Sequence, residues 1–344
     1  MKLLKSIFIA AAVVLSCVSC AHKSSGSQQS ESNDVLTLDT CLQLFADSIL
    51  KDRSGCVVAI EPNTGEIKCM SSSKPDCNIL SFEFAPDQVY LPVPAMIAFE
   101  EGVIDLTANA TDFVKGVIEE LCRSKYYCRD RSKDINPNDV AYYAFFFKRT
   151  LNNRKYADAQ SAYASWFEYV CSLGLGKPLG IDMDNETGGY IPSVNDYTRT
   201  FRTSKWKPIN VIQDALGKGN IRVTPLQIAN LAAIIANRGY FLTPHIMQGE
   251  GKEFTKNQSR ISPKVYDLMA DVMKQETEGG TGYCCFGGTL VNTDDAYTVS
   301  MGYFPAENPR IAICCYLDNE GRGGLDAGLL LTMLVDHYEK SIEK

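Results

Sequence analysis

The sequence predicts an α/β fold of the α+β kind, in which an antiparallel sheet takes strands from both ends of the chain. Near the start, residues 56–60 form an apolar run that predicts a strand. Residues 66–70 return after the turn sequence Glu-Pro-Asn-Thr-Gly, which is typical of a hairpin. Near the end, residues 297–304 and 310–317 predict two more strands, joined by a Pro-Ala-Glu-Asn-Pro turn. Two pairs of strands from opposite chain ends therefore belong to one sheet.

Helices are predicted on the flanks of this sheet. Apolar periodicity predicts a helix over residues 39–50, and a last helix over about 325–339. The clearest helix start is Thr224-Pro225-Leu226-Gln227, where Thr at the N-cap, Pro in the first turn and Gln three residues later form a capping box. Residues 71–80 are polar and predict a loop, and residues 93–99 predict a buried helix.

The composition is that of an acidic globular protein. The 344 residues include 45% hydrophobic and 22% charged residues, and the net charge is −7. A chain without basic excess cannot neutralise many phosphates, which argues against nucleic-acid binding. The one Cys-x-x-Cys pair, Cys17 and Cys20, lies in the N-terminal apolar segment, and the sequence has three His, so it predicts neither a zinc site nor any other cofactor. The 13 Cys are interpreted as buried free thiols.

The first 20 residues are interpreted as a lipoprotein signal peptide. Lys2 and Lys5 precede a short apolar run that is too short to span a bilayer. The run ends in Leu-Ser-Cys17, and an aliphatic residue and a small residue before Cys resemble the bacterial lipobox. Cys20 is the alternative acylation site, and plain cleavage after a small residue is the alternative process. Residues 21–34 are Ser-rich and polar, as expected of a flexible tether.

Six collinear segments carry a family resemblance. The chain resembles the transpeptidase domain of penicillin-binding proteins from about residue 35 to its C-terminus. The resemblance implies a three-layer sandwich of a mostly antiparallel sheet flanked by helices, with an all-helical subdomain, as in β-lactamases. On this basis residues 35–344 are one transpeptidase-like domain with a helical or irregular insert at about 105–210. The segments are LTLDTCLQLFADSIL, GCVVAIEPNTGEIKCMSS, FEEGVID, LGLGKPLGIDMDNETGGYIPS, DALGKGNIRVTPLQIANLAAIIANRGYFLTPHI and GYFPAENPRIAICCYLDN.

The family transfers acyl groups through three motifs, Ser-x-x-Lys, Ser-x-Asn and Lys-Thr-Gly. Ser and Lys one helical turn apart share a face, so the amine can take the hydroxyl proton. Aligned on Pro86 and Pro92, the nucleophile position of this chain holds Gln88 and the base position holds Leu91. An amide is not a nucleophile, and Leu has no proton to exchange. Tyr90, within the same motif, is expected to fill space.

The other two motifs are also degenerate in the matching positions. The second falls on the stretch AYYAFF, where Ala141 replaces Ser and Tyr143 replaces Asn. The third falls on Cys-Phe-Gly-Gly-Thr, where Phe286 replaces the Lys. Tyr143 is expected to occupy volume that polar side chains vacate. The matching third-motif positions are Phe286, Gly287, Gly288 and Thr289.

Literal motif matches elsewhere are interpreted as chance. Ser71-Ser72-Ser73-Lys74 and residues 341–344 both spell Ser-x-x-Lys, and Ser193-Val194-Asn195 spells Ser-x-Asn out of family order. Cys284 and Cys285, beside the third motif, would be nucleophiles only with a lowered thiol pKa. They are interpreted as structural thiols.

Three functions remain open at this stage. The first is a non-catalytic lipoprotein on the periplasmic face of a bacterial membrane, which binds peptidoglycan peptides or docks on cell-wall synthesis proteins. The second is an active DD-transpeptidase, carboxypeptidase or β-lactamase-like hydrolase with a relocated nucleophile at Ser71, Cys284 or Cys285. The third is a β-lactam sensor, which the loss of the acylated Ser disfavours.

Overall fold

The protein is described from a computed structural model. The described residues from Leu36 to Ile342 belong to one compact unit. The lipidation candidates Cys17 and Cys20, the tether, and Lys74 lie outside the described residues. The structure describes residues 35–73, 77–127, 137–248, 254–275, 282–290, 297–318 and 326–342, with side chains except at 119–139 and 288–290.

Six described strands form one antiparallel sheet in the order β2-β1-β8-β7-β6-β5. The two chain ends meet at its centre, where β1 pairs with β8 and Val58 lies opposite Cys314. This confirms the predicted sheet. The strands are β1 Gly55–Ile60, β2 Ile67–Ser72, β5 Lys274–Gln275, β6 Tyr283–Leu290, β7 Tyr297–Phe304 and β8 Ile311–Asp318; β3 Tyr240–Leu242 and β4 Lys256–Gln258 form a separate hairpin.

Helices cover both faces of the sheet and make three layers. Two terminal helices, α1 (Thr40–Leu50) and α11 (Ala327–Ile342), pack on one face through Leu42, Leu331 and Leu334. Their apolar side chains pack against every second residue of the strands, because successive strand side chains point to opposite faces of the sheet. The fully buried helix α9 (Pro225–Ala236) packs on the opposite face.

The helical region lies between β2 and α9 in the chain. Its elements start from a 3₁₀ turn, Asp87–Tyr90, and include a π-helix, Tyr143–Lys148. The α-helices of this region are α2 Pro92–Glu100, α3 Ala110–Tyr127, α4 Pro137–Tyr142, α5 Arg149–Leu151, α6 Ala159–Ser172, α7 Val194–Phe201 and α8 Ile212–Ala215; α10 Pro263–Met273 follows α9.

Of two local structures predicted from the sequence, one is confirmed and the other is wrong in part. The capping box at Thr224 is confirmed, since the Gln227 backbone N–H donates to the Thr224 hydroxyl at 3.2 Å and the Gln227 side-chain oxygen accepts from the Thr224 backbone N–H at 3.0 Å. The loop expected from residue 71 is wrong at its start, because β2 continues through Ser72. Ser71 is buried there, and its hydroxyl donates to the Asp47 carboxylate of α1. A polar residue can therefore continue a strand where a neighbouring helix supplies the acceptor.

Candidate functional site

The segment that resembles the nucleophile motif is a 3₁₀ turn that runs directly into α2. Asp87 has a φ of 45°, in the left-handed region that residues other than Gly rarely enter. The Asp87 N–H donates to the Gly217 carbonyl at 2.9 Å. A Cβ on Gly217 would lie 2.8 Å from the Asp87 carbonyl oxygen, so the two backbones touch. The turn is thereby fixed against the 214–217 segment.

Two tyrosine hydroxyls hold this segment from opposite ends. Tyr142, the last residue of α4, donates its hydroxyl to the Leu91 carbonyl. Tyr297, the first residue of β7, donates to the Ala85 carbonyl. Neither tyrosine is predicted from the sequence to be a site residue. The hydroxyls bond to backbone atoms more than 50 residues away in the chain, which local periodicity does not encode.

The three segments that the resemblance assigns to motifs lie together in the structure. Strand β6, which carries Phe286, contacts the 3₁₀ turn Asp87–Tyr90. The π-helix, which begins at Tyr143, packs on α2. Ala141 lies one residue before Tyr142, whose hydroxyl reaches Leu91. Gly288 and Thr289 continue β6 opposite Val299 and Thr298 of β7.

Most side chains at these positions are buried and cannot exchange protons near neutral pH. Gln88 is 6% exposed, Leu91 1%, Tyr143 3% and Phe286 9%. Burial raises the pKa of Tyr143 to about 12, so its hydroxyl stays protonated. Gly287 is exposed and Ala141 half-buried. At the positions that the resemblance assigns to the motifs, the buried side chains are therefore an amide, an alkyl group, a protonated phenol and a phenyl ring.

Tyr90 belongs to a buried aromatic group rather than to a polar site. Its ring centroid lies 6.5 Å from that of Trp166, and its side chain is fully buried. Burial is also the main reason that the pKa of its hydroxyl is raised. The expectation that Tyr90 fills space agrees with this position.

The alternative nucleophiles lie apart or are inactivated by burial. Ser71 is on β2, the sheet edge farthest from β5 and β6. Cys284 donates its thiol to the Ala270 carbonyl at 3.4 Å, and burial raises its pKa. Burial raises the pKa of Cys285 to about 11. A thiol nucleophile needs a lowered pKa, and both shifts are in the opposite direction.

The remaining literal matches have structural roles. Ser193 is the N-cap of α7 and forms a capping box with Asp196. Ser341 donates its hydroxyl to the Tyr338 carbonyl at 2.6 Å within the last helix. Within the described part of the chain, no group of three or more His, Cys, Asp or Glu is placed to hold a metal ion.

A family model describes this architecture. The model of the penicillin binding protein transpeptidase domain matches residues 55–331. The chain belongs to this family. The Acinetobacter baumannii peptidoglycan D,D-transpeptidase MrdA is 25% identical to it over 374 residues, which cover 89% of this chain and 54% of that protein. Penicillin-binding protein 2B of Streptococcus pneumoniae is 25% identical over 83% of this chain and 51% of that protein. The chain thus spans about half the length of these relatives.

Solved structures of transpeptidases share the fold. PBP2 of Pseudomonas aeruginosa superposes with a TM-score of 0.65 at 19% identity, over 90% of this chain and 78% of that one. PBP2 of Helicobacter pylori, solved in complex with MreC, gives 0.64 at 18% identity, over 90% and 63%. None of the helices within the described ranges has the length and apolarity that a bilayer span requires.

Proposed function

We propose that this chain is a non-catalytic member of the penicillin-binding protein transpeptidase family, which serves the cell envelope as a binding or scaffold module. The observation that carries the proposal is the pair Gln88 and Leu91, which stand where the family motif has nucleophile and base. A carboxamide and an alkyl group cannot form the acyl-enzyme bond. Loss of such a nucleophile alone lowers turnover by a factor of about a million.

The conformation of Asp87 supports the alignment behind this proposal. The family motif has Gly directly before its nucleophile, and this chain has Asp87 there. Asp87 nevertheless keeps a left-handed φ of 45°, the region that Gly enters without steric cost. The residue after it, Gln88, therefore occupies the nucleophile position in our assignment. The contact between β6 and this turn supports the assignment of Phe286 to the position of the third-motif Lys.

The burial of Gln88, Leu91, Tyr143 and Phe286 supports a role other than acyl transfer. Leu91, Tyr143 and Phe286 are packed in the large apolar core, and Tyr143 stays protonated at neutral pH. Neither Cys284 nor Cys285 gains a lowered pKa that would make it a replacement nucleophile. Relocated chemistry at Ser71 would lie at the far edge of the sheet.

The envelope location and the partners are part of the same proposal. Residues 1–20 act as a lipoprotein signal, Cys17 carries the lipid, and residues 21–34 tether the domain of residues 35–344 at the periplasmic face of the membrane. The partners are peptidoglycan peptides or cell-wall synthesis proteins. The complex of Helicobacter pylori PBP2 with MreC shows that a protein of this fold can take a protein partner.

Incubation with a fluorescent penicillin followed by intact-mass analysis tests the proposal. We expect no mass increase on this chain, while penicillin-binding protein 2B of Streptococcus pneumoniae, treated in parallel, serves as the control for acylation. A stoichiometric penicilloyl adduct on this chain would refute the proposal, and peptide mapping would then locate the nucleophile. Calorimetry with a purified muropeptide separates the two non-catalytic versions: heat of binding supports the peptide-binding module, and its absence supports the protein scaffold.

A further inference from the structure

A surface cavity lies on the helical region, between the segment after α2 and the helices that follow the π-helix. Its volume of about 540 Å³ falls in the range of about 300–1,000 Å³ that small-molecule sites occupy. None of the residues assigned to the three motifs lines it. The lining residues are Val103, Ala144, Lys148, Arg149, Asn152, Asn153 and Arg154.

The lining of this cavity is strongly basic in an acidic chain. Three of its seven lining residues are cations, two are primary amides and none is a carboxylate. The whole chain carries a net charge of −7, yet residues 140–157 contain no Asp or Glu. A cavity that gathers cations without counter-charges attracts negative ligands.

A buried acid that contacts the lining residue Asn153 is already paired with a different cation. The Glu101 side chain is 1% exposed, and its carboxylate pairs with the Lys155 ammonium at 2.7 Å. It also accepts hydrogen bonds from the Tyr156 hydroxyl at 3.0 Å and the Asn153 amide at 3.3 Å. Among the residues whose side chains are described, none forms an ion pair with Lys148, Arg149 or Arg154. Their charges therefore remain available to a ligand.

The polar groups around the cavity are held by local structure. The Arg149 guanidinium lies 5.4 Å from the centroid of the Phe145 ring, a cation–π contact that limits its orientations. The Asn153 amide is held by hydrogen bonds to the Glu101 carbonyl and carboxylate. Lys148 ends the π-helix, and Asn152 and Asn153 follow directly after α5. Groups that are partly ordered before binding lose less entropy when a ligand arrives.

We propose that this cavity binds a small ligand whose charge is carried by carboxylate or phosphate oxygens. The planar guanidinium group binds two oxygens of either a carboxylate or a phosphate with paired, parallel hydrogen bonds. The Asn152 amide adds a neutral donor beside them. The inference concerns a site separate from Gln88, and it stands whether or not the family site is catalytic.

Isothermal titration with pyrophosphate and with citrate tests the site and separates its two possible ligand classes. We expect saturable binding of at least one anion by the wild-type chain, with affinity that falls as salt is added. Each of the variants Lys148→Gln and Arg154→Gln removes one charge-assisted contact and should weaken binding about tenfold. Lys205→Gln removes an exposed charge outside the cavity, and should leave binding unchanged.

Binding of pyrophosphate alone would support a phosphate ligand, and binding of citrate alone a carboxylate ligand. The proposal fails if neither anion binds at concentrations up to about 10 mM, the millimolar range in which affinity is barely measurable. It also fails if Lys148→Gln and Arg154→Gln bind the anion as tightly as Lys205→Gln. Circular dichroism of each variant confirms that the exposed substitutions leave the fold intact.

Discussion

Cys41 and Cys285 show how burial separates the reactive from the unreactive thiols of this chain. Cys41 is exposed on α1, whereas Cys285 lies on β6 against the layer of terminal helices. Taking a thiolate out of water is unfavourable, and this raises the pKa of Cys285 to about 11. Because only the thiolate attacks an electrophile, Cys285 should be inert at neutral pH despite its position beside the family site.

Alkylation by iodoacetamide should therefore modify Cys41 before Cys284 and Cys285. At about pH 8, close to the usual thiol pKa, we expect Cys41 to be labelled while both strand thiols remain unmodified. Labelling of Cys285 should increase only as the pH approaches its raised pKa, or after denaturation. Peptide mapping by mass spectrometry measures each site separately. Equal labelling of Cys41 and Cys285 in the native protein would contradict the burial argument.

Two serines, Ser193 and Ser71, show which structural roles can be predicted from the sequence and which cannot. Ser193 and Ser71 both lie in strings that spell a catalytic motif, and the sequence alone assigned those matches to chance. The role of Ser193 as an N-cap depends on residues three positions away, so it is encoded locally. The partner of Ser71 is Asp47 on another element, and this pairing depends on the packing of α1 against β2. Local pattern could not supply it.

At the scale of elements, Gln227 joins the start of α9 to a loop that is more than 30 residues away. Its side-chain amide donates to the carbonyls of Gly188 at 2.7 Å, Lys177 at 3.0 Å and Gly174 at 3.2 Å. The same side chain accepts from the Thr224 N–H in the capping box. One fully buried residue thus satisfies both a helix start and the irregular loop beside it.

Replacement of this residue should destabilise the fold strongly. Gln227→Ala leaves one N–H and several carbonyls buried without their partner, and we expect a loss of about 3 kcal/mol or more in the free energy of unfolding. Gln213→Ala, at an exposed position on α8, is the matched control and should change stability by less than about 0.5 kcal/mol. Urea denaturation followed by circular dichroism measures both. Similar midpoints for the two variants would contradict the role of Gln227.

The elements that can be predicted from the sequence are those whose turn and capping residues lie within a few positions of each other. The hairpin of β1 and β2 and the start of α9 follow from turn residues and caps within a few positions. The π-helix at Tyr143–Lys148 was not predictable, since its apolar pattern also suits an ordinary α-helix. The basic cavity beside it was missed as well. Its one sequence signal was the absence of acids over residues 140–157. Lys148 and Arg154 line the same cavity because a turn follows α5, and that turn is not evident from the sequence pattern.

At the scale of the whole molecule, the pairing of β1 with β8 means that the sheet forms only when strands from both ends of the chain come together. The terminal helices α1 and α11 share one apolar layer, and the helical region packs on the opposite face of the same sheet. The two tryptophans, Trp166 and Trp206, both lie in the large core cluster on that opposite side. Tryptophan fluorescence therefore reports on the side of the sheet opposite to α11.

Substitution in α11 should consequently shift the unfolding that the tryptophans report. Leu331 is 1% exposed in the layer of terminal helices, and Leu331→Ala should cost about 2–5 kcal/mol through lost burial and the remaining cavity. If both faces of the sheet unfold together, the midpoint seen by tryptophan fluorescence falls in parallel with that seen by far-ultraviolet circular dichroism. Leu329→Ala, on the same helix but 48% exposed, should leave both midpoints almost unchanged. A fluorescence midpoint that stays in place while the dichroism midpoint falls would show that the helical region unfolds independently, against the single sheet-centred core.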